Sequence, residues 1–154
     1  MRHLLAILAL SGMVVSALAL REHYRTDTSP CSINERWDCG IVNHSPYATL
    51  GGIPVAVIGI AGYCLLGVLA LRRAYRSLLA AAFPGLAFSL YLAHIEAHVL
   101  GVWCIYCVAS LGVISAISLL ALNTTIIRLI RKRPKTPPLE VTRRANRKTG
   151  RCPK

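Results

Sequence analysis

Four uncharged, apolar stretches alternate with more polar segments along the chain. They cover residues 4–20, 49–71, 77–93 and 99–127. Because a bilayer core is crossed by about 20 apolar residues, with a range of about 17–25, each stretch predicts one membrane-spanning helix. The last stretch is longer than one straight crossing, so we expect residues 99–101 to form the turn after the third helix.

Helix-breaking residues occur where membrane helices tolerate them. Gly51, Gly52 and Pro54 lie at the start of the second stretch, and Pro84 lies inside the third. A proline inside such a helix kinks it, while neighbouring groups satisfy the freed carbonyl. The pattern predicts an all-α membrane protein, a bundle of four transmembrane helices.

The first stretch has an alternative interpretation as a secretory signal peptide. Arg2 and His3 would form its basic start, and the small residues 17–19 its cleavage site. The apolar part is longer than the usual signal core of about 7–15 residues, which favours a retained helix.

Basic residues indicate the orientation of the bundle. Arg2 precedes the first span, and the loop of residues 21–52 carries no basic excess. Further basic residues follow the second and fourth spans: Arg72, Arg73, Arg76, Arg128, Arg131, Lys132, Arg133 and Lys135. By the positive-inside rule the basic segments and both termini are cytoplasmic, and loop 21–52 faces outward.

The formal net charge of +12 comes mostly from the C-terminal tail. We divide the chain into a transmembrane domain, residues 1–130, and a basic cytoplasmic tail, residues 131–154. Such a tail is expected to be disordered or to lie along anionic lipid. A nucleic-acid-binding tail is the weaker alternative, because no aromatic residues interleave with the charges.

Two cysteine pairs are predicted on the outer side of the membrane. Cys31 and Cys39 lie on the outer loop, and Cys104 and Cys107 lie at the start of the fourth helix. A spacing of three residues places the last two sulfurs on one helical face, and a helix start favours a thiolate. The pairs could therefore meet and exchange a disulfide, which requires a thiolate to reach a disulfide sulfur.

The segment of residues 34–45 mixes apolar and charged side chains, which predicts a short amphipathic lid helix at the interface. Two alternatives remain for the cysteines: a purely structural disulfide in the loop, and a zinc site completed by His94 and His98. We favour redox chemistry and no metal. Cys64, inside the second span, and Cys152, in the tail, are predicted to be dispensable.

The combined motifs resemble the vitamin K epoxide reductase family over about residues 4–130. They are Cys31 and Cys39 separated by seven residues, Ser45 six residues later, the Gly-Ile-Pro sequence 52–54 and the Cys-Ile-Tyr-Cys sequence 104–107. No thioredoxin-like domain follows the fourth helix, so the redox partner is expected to be a separate protein.

The resemblance implies four transmembrane helices around a quinone pocket that the loop covers. It implies an active-site disulfide between Cys104 and Cys107, with Cys107 facing the quinone. It also implies that a partner attacks Cys31, that Cys39 reaches Cys104, and that Ser45 is the family's small hydroxyl residue. The asparagine that vertebrate members carry at the head of the second helix has no clear match in residues 47–50, which favours a bacterial-type quinone.

A flat ring with two carbonyl acceptors suits an apolar cavity with a few hydrogen-bond donors. The candidate quinone-binding residues are Ser45, His44, Tyr91, His94, Glu96 and Tyr106. Glu96 lies three residues after the third apolar stretch, and intramembrane carboxylates are usually functional. It either supplies protons for quinone reduction or lies at the outer interface paired with a histidine.

The sequence therefore predicts a membrane thiol–quinone oxidoreductase. It would oxidise a thioredoxin-fold partner outside the cytoplasm, reduce ubiquinone, menaquinone or vitamin K, and supply disulfides for oxidative folding, in a bacterial inner membrane. The alternatives are a vitamin K epoxide and quinone reductase of a vitamin K cycle, and a non-enzymatic membrane protein with structural disulfides.

Overall fold

The computed structural model describes residues 1–26 and 31–132, and the side chains among them except that of Lys132. Five α-helices form: α1 (Arg2–His23), α2 (Cys39–Asn43), α3 (Val55–Leu71), α4 (Tyr75–Ile95) and α5 (Ile105–Lys132). A 3-10 turn (Pro46–Ala48), two short strands, β1 (Thr49–Leu50) and β2 (Ile53–Pro54), and a π-helical turn (Glu96–Leu100) complete the described chain. Most of the predicted tail, including Cys152, lies outside the described residues.

Three segments are long and apolar enough to cross a membrane. They are Arg2–His23, Tyr75–Leu100, which combines α4 with the π-helical turn, and Ile105–Arg131. The fourth apolar helix, α3, has 17 residues, at the lower limit for a crossing. The predicted helical fold is confirmed, with three candidate membrane-spanning helices among the described residues, and the fourth crossing, by α3, stays a prediction.

The four long helices contact one another in the cyclic order α1, α3, α4, α5. Their shared core is built from small and branched apolar side chains together with two tyrosines: Leu5, Ala9, Tyr63, Leu66, Ala70, Tyr75, Leu78, Ala82, Ile114, Ile117 and Ala121. Because α1 supplies Leu5 and Ala9 to this core, the retained-helix interpretation of the first stretch is favoured over a cleaved signal peptide.

The second helix begins later than the sequence predicted. Thr49 pairs with Pro54 and Leu50 with Ile53 in an antiparallel hairpin, and α3 starts only at Val55. Gly51 and Gly52 form the turn with φ values of 59° and 83°, a left-handed conformation that glycine adopts without a steric penalty. The glycines thus belong to a hairpin, and residues 49–54 are not helical.

The chain reverses between α4 and α5 at the same end of the bundle as α2. The π-helical turn ends at Gly101, which has a left-handed φ of 68°, and α5 begins at Ile105. This confirms that residues 99–101 precede the fourth helix. The reversal brings Glu96 next to Cys104.

Candidate active site

The outer loop is fastened to the segment just before the Cys-Ile-Tyr-Cys motif. The Asp38 amide donates to the Trp103 carbonyl at 3.1 Å, and the Trp103 amide donates to the Arg36 carbonyl at 2.9 Å. Trp37 and Trp103 thereby form a parallel bridge. Main-chain bonds therefore hold the part of the loop that precedes Cys39 against the residue that precedes Cys104.

The loop cysteines form a disulfide. Cys31 and Cys39 are bonded, their Cα atoms are 5.6 Å apart, and their exposed fractions are 5% and 0%. The helix that carries Cys39, α2, is shorter than the predicted lid and spans only Cys39–Asn43. Residues 34–37 instead form a turn, in which the Asn34 side chain accepts from the amides of residues 36 and 37.

Asp38 caps α2. Its Oδ1 accepts the Ile41 amide at 3.1 Å, and its Oδ2 accepts the Ser32 hydroxyl at 2.7 Å. The Ser32 hydrogen bond, helped by the amides of Ile41 and Gly40, lowers the pKa of the Asp38 carboxyl below its ordinary value, against the opposing effect of partial burial. A charged cap therefore fixes the helix start at Cys39.

Cys104 and Cys107 are both free thiols whose side chains interact. The resemblance implied a disulfide here, whereas the two sulfurs are not bonded in this structure. Cys104 is fully buried and lies in one apolar cluster with Cys31, Cys39, Val42 and Val102. The two predicted cysteine pairs therefore belong to one buried cluster.

Glu96 is buried beside this pair, with an exposed fraction of 2%. Its Oε2 accepts the Cys104 amide at 3.0 Å, whereas its Oε1 has no hydrogen-bond partner among the described residues. A buried polar atom without a partner is uncommon and calls for an explanation. Glu96 also lines the cavity described next, so this oxygen is suited to a ligand or a proton.

A cavity of about 310 Å³ opens between the four long helices and α2. This volume lies at the lower end of ordinary ligand pockets, and the lining is mainly apolar. The more polar side chains in the lining are Ser16, His23, Asn43, Ser45, Tyr47, Tyr63, Ser89, Glu96, Tyr106, Cys107 and Ser110. One cysteine of the unbonded pair, Cys107, thus faces an apolar cavity with a few polar groups.

Three of the six predicted quinone-binding residues line this cavity. They are Ser45, Glu96 and Tyr106. The Ser45 hydroxyl donates to the Val42 carbonyl at 2.7 Å, which leaves its oxygen lone pairs available. The structure brings these three residues together with Cys107.

The other three predicted quinone-binding residues lie elsewhere. Both ring nitrogens of His44 contact main-chain carbonyls, those of Gly40 at 2.8 Å and Arg25 at 3.1 Å. Tyr91 is 57% exposed, and the exposed ring of His94 lies 4.5 Å from that of His98. Their positions do not support a role as donors to this cavity.

Asn43 and His23 are two of the polar cavity residues that sequence reasoning missed. Asn43 Nδ2 donates to the Cys39 carbonyl at 2.9 Å and to Cys104 Sγ at 3.7 Å. His23 Nδ1 donates to the main-chain carbonyl of Asn43 at 2.6 Å. The spacing of four residues between Cys39 and Asn43 could have indicated a shared helical face, whereas no sequence signal joins His23 to this loop.

Within residues 1–26 and 31–132, no group of three or more His, Cys, Asp or Glu side chains could hold a metal ion. His94 and His98, which would have completed the zinc site of the disfavoured alternative, form a ring pair with centroids 4.5 Å apart.

The fold and site define a helical membrane protein with two cysteine pairs in one buried cluster beside an apolar cavity. The family model described as "Vitamin K epoxide reductase family" matches residues 3–123. The chain therefore belongs to the vitamin K epoxide reductase family, whose members are membrane oxidoreductases that act with quinones. The resemblance drawn from the motifs is confirmed. No curated protein matches the chain.

Proposed function

We propose that this protein is a membrane thiol–quinone oxidoreductase that oxidises a thioredoxin-fold protein outside the cytoplasm. The observation that carries the proposal is the position of Cys104 and Cys107 between the loop disulfide and the apolar cavity. Cys104 lies in one buried cluster with the loop disulfide, and Cys107 lines the apolar cavity. Electrons taken up at the loop could thus reach the cavity through the two cysteine pairs.

The electron path consists of two disulfide exchanges and one quinone reduction. A reduced partner attacks the Cys31–Cys39 disulfide and leaves with its own disulfide, which frees both loop thiols. The Cys39 thiolate then attacks the Cys104–Cys107 disulfide at Cys104, and Cys107 leaves as a thiolate. Finally, Cys31 attacks Cys39, which reforms the loop disulfide and releases Cys104 as a thiolate.

The reduced Cys104–Cys107 pair returns to a disulfide by giving two electrons to the quinone in the cavity. Two protons must accompany them to form the hydroquinone. Glu96 is placed to deliver protons, because its Oε1 is buried without a partner among the described residues and it lines the same cavity as Cys107. Tyr106 lines the cavity and would orient a carbonyl of the ring as a hydrogen-bond donor, whereas Ser45, whose hydroxyl proton goes to the Val42 carbonyl, could only accept from the hydroquinone.

The proposed topology places this site at the outer membrane surface. In this orientation the basic turn at Arg72, Arg73 and Arg76 is cytoplasmic. All four long helices then cross the membrane, α3 with its 17 residues included. In a bacterial inner membrane the partner would be an oxidase of the cell envelope, and the net product is a disulfide for secreted proteins.

The test is quinone reduction by purified protein in detergent, followed by absorbance, with a reduced thioredoxin-fold protein as electron donor. The wild type should turn over, and Cys107→Ala should be inactive. Cys64→Ala is the matched control, because it removes an exposed thiol on α3 and should keep full activity.

The outcome that contradicts the proposal is a folded wild-type protein that reduces none of ubiquinone, menaquinone and vitamin K. The cysteines would then be structural. A structural disulfide in a small domain contributes about 2–5 kcal/mol, so loss of the loop pair would lower stability without any catalytic effect. Trapping gives independent support, because Cys107→Ala should accumulate a Cys39–Cys104 disulfide if exchange occurs.

A further inference from the structure

Asn43 is a buried polar side chain that contacts both cysteine pairs. Its exposed fraction is 7%, and its Nδ2 donates to the Cys39 carbonyl and to Cys104 Sγ. A carbonyl oxygen can only accept, so the nitrogen of the Asn43 amide must face this side. Its two hydrogens then serve two acceptors, one in each pair.

The position of Asn43 is held from two directions. The bond to the Cys39 carbonyl closes one turn of α2, because the two residues are four positions apart. At the end of α2, the main-chain carbonyl of Asn43 accepts from His23 Nδ1 at 2.6 Å, which ties it to the last residue of α1. The side-chain amide is therefore oriented before any exchange takes place, which reduces the entropic cost of donating its hydrogen bond to Cys104 Sγ.

The acceptor sulfur is the one that changes charge during exchange. In the step that reforms the loop disulfide, the Cys31 thiolate attacks Cys39 and breaks the Cys39–Cys104 bond. Cys104 leaves with the bonding electron pair as a thiolate. A neutral amide donor aimed at this sulfur favours the anion over the mixed disulfide, since hydrogen bonds to charged groups are the stronger ones.

Other groups near Cys104 also favour its thiolate, namely the Cys107 thiol and the main-chain amides of Cys107 and Tyr106, but all of them belong to the Cys-Ile-Tyr-Cys motif itself and not to the loop. Glu96 accepts the Cys104 amide and, as a carboxylate, would disfavour a nearby thiolate. Cys107 interacts with Cys104 as a thiol. In the relay, however, Cys107 has itself just left as a thiolate, and a second anion nearby would not stabilise the Cys104 thiolate. Asn43 is the neutral donor that links the sulfur to the loop.

We propose that the Asn43 side-chain amide stabilises the Cys104 thiolate as it leaves the Cys39–Cys104 mixed disulfide, with His23 holding Asn43 in place. This assignment rests on the proposed thiol relay. It adds a residue that acts on the reacting sulfur and sets the balance between the mixed disulfide and the closed loop disulfide.

The experiment measures the ratio of the mixed disulfide to the loop disulfide in a protein that lacks Cys107 and so cannot pass electrons on to a quinone. Cys64, Cys107 and Cys152 are replaced by alanine, so that the three remaining cysteines hold one disulfide after mild oxidation. The full-length protein in detergent is quenched with acid, alkylated under denaturing conditions and mapped by mass spectrometry. The readout is the ratio of the Cys39–Cys104 link to the Cys31–Cys39 link.

Asn43→Leu and Asn43→Ala are introduced into this background. Both remove the donor, and they differ in the volume that they leave. We expect each to raise the ratio by about fivefold, the change for a hydrogen bond of ordinary net strength. A role of Asn43 in merely holding the loop predicts the opposite sign, because a loosened loop carries Cys39 away from Cys104.

Asn34→Ala is the matched control, since it removes an asparagine that stabilises the same loop without touching either pair. It should leave the ratio unchanged or lower it. An unchanged or lowered ratio in both Asn43 variants overturns the inference while the relay stands. Absence of any Cys39–Cys104 link with Asn43 intact overturns the relay itself, so the two failures are distinguishable.

Discussion

Replacing Glu96 by glutamine tests whether its carboxyl handles protons during quinone reduction. The substitution keeps the size of the side chain and one oxygen that can accept the Cys104 amide, now accepted by Oε2 at 3.0 Å. It removes the group that can gain and lose a proton. The two roles of Glu96, holding Cys104 and delivering protons, are thereby separated.

The magnitudes follow from the two roles. General acid–base catalysis typically contributes about 10²–10⁴-fold, so Glu96→Gln should lower the rate of quinone reduction by about 100-fold or more. Its stability should change little. Glu96→Leu removes the acceptor as well and leaves the buried Cys104 amide without its partner, which costs about 1–3 kcal/mol in the free energy of unfolding.

The assay follows quinone absorbance as a function of pH, with thermal unfolding measured on the same samples. Glu35→Gln serves as the control, because Glu35 is an exposed carboxylate on the outer loop and its loss should affect neither quantity. A Glu96→Gln protein that reduces quinone at the wild-type rate and with the wild-type pH profile would refute the proton role. Glu96 would then serve only to hold the amide of Cys104.

Three further predictions concern the cap of α2, the contact between α1 and α3, and the two remaining cysteines. Asp38→Ala should weaken the outer loop by about 0.5–2 kcal/mol, measured as faster reduction of the loop disulfide by a small thiol. Because the folded pKa of Asp38 lies below its ordinary value of 3.8, this stabilisation should be complete above pH 3.8 and be lost as the pH falls through the folded pKa. Gly12→Ala should lower stability by about 1–3 kcal/mol in thermal unfolding, because the added Cβ would overlap the Tyr63 ring. The Cys64→Ala, Cys152→Ala double variant should keep full quinone reductase activity.

Each of these predictions has an outcome that contradicts it. Asp38→Asn retains a good helix cap but no charge, so the acid dependence should disappear; persistence would point to another group. Gly112→Ala adds a Cβ with nothing within 4 Å, and a loss of stability equal to that of Gly12→Ala would argue against the tyrosine overlap. Loss of activity in the double cysteine variant would place one of those thiols in the relay.

The hydropathy pattern predicted the long helices because each must cover a fixed apolar thickness. It misplaced the start of the second helix, since hydropathy does not distinguish an apolar hairpin from a helix; the φ values of Gly51 and Gly52 decide that. The cysteine pairs were predictable because their chemistry is restricted to few residue types. Asn43 and His23 were not, because their roles depend on contacts between α1, α2 and Cys104 that no local pattern encodes.

The two exchanges place opposite demands on the outer loop. The proposed internal exchange needs the described arrangement, in which Cys39 and Cys104 are buried in one cluster and the loop is bonded to Trp103. Exchange with a protein partner needs access to a disulfide whose cysteines are 5% and 0% exposed. In the proposed relay a partner would therefore react only after the loop has moved, and each turnover would require the loop to open and close once. Contacts that close the loop, such as the main-chain bonds to Trp103, should accordingly favour internal exchange and slow the reaction with the partner.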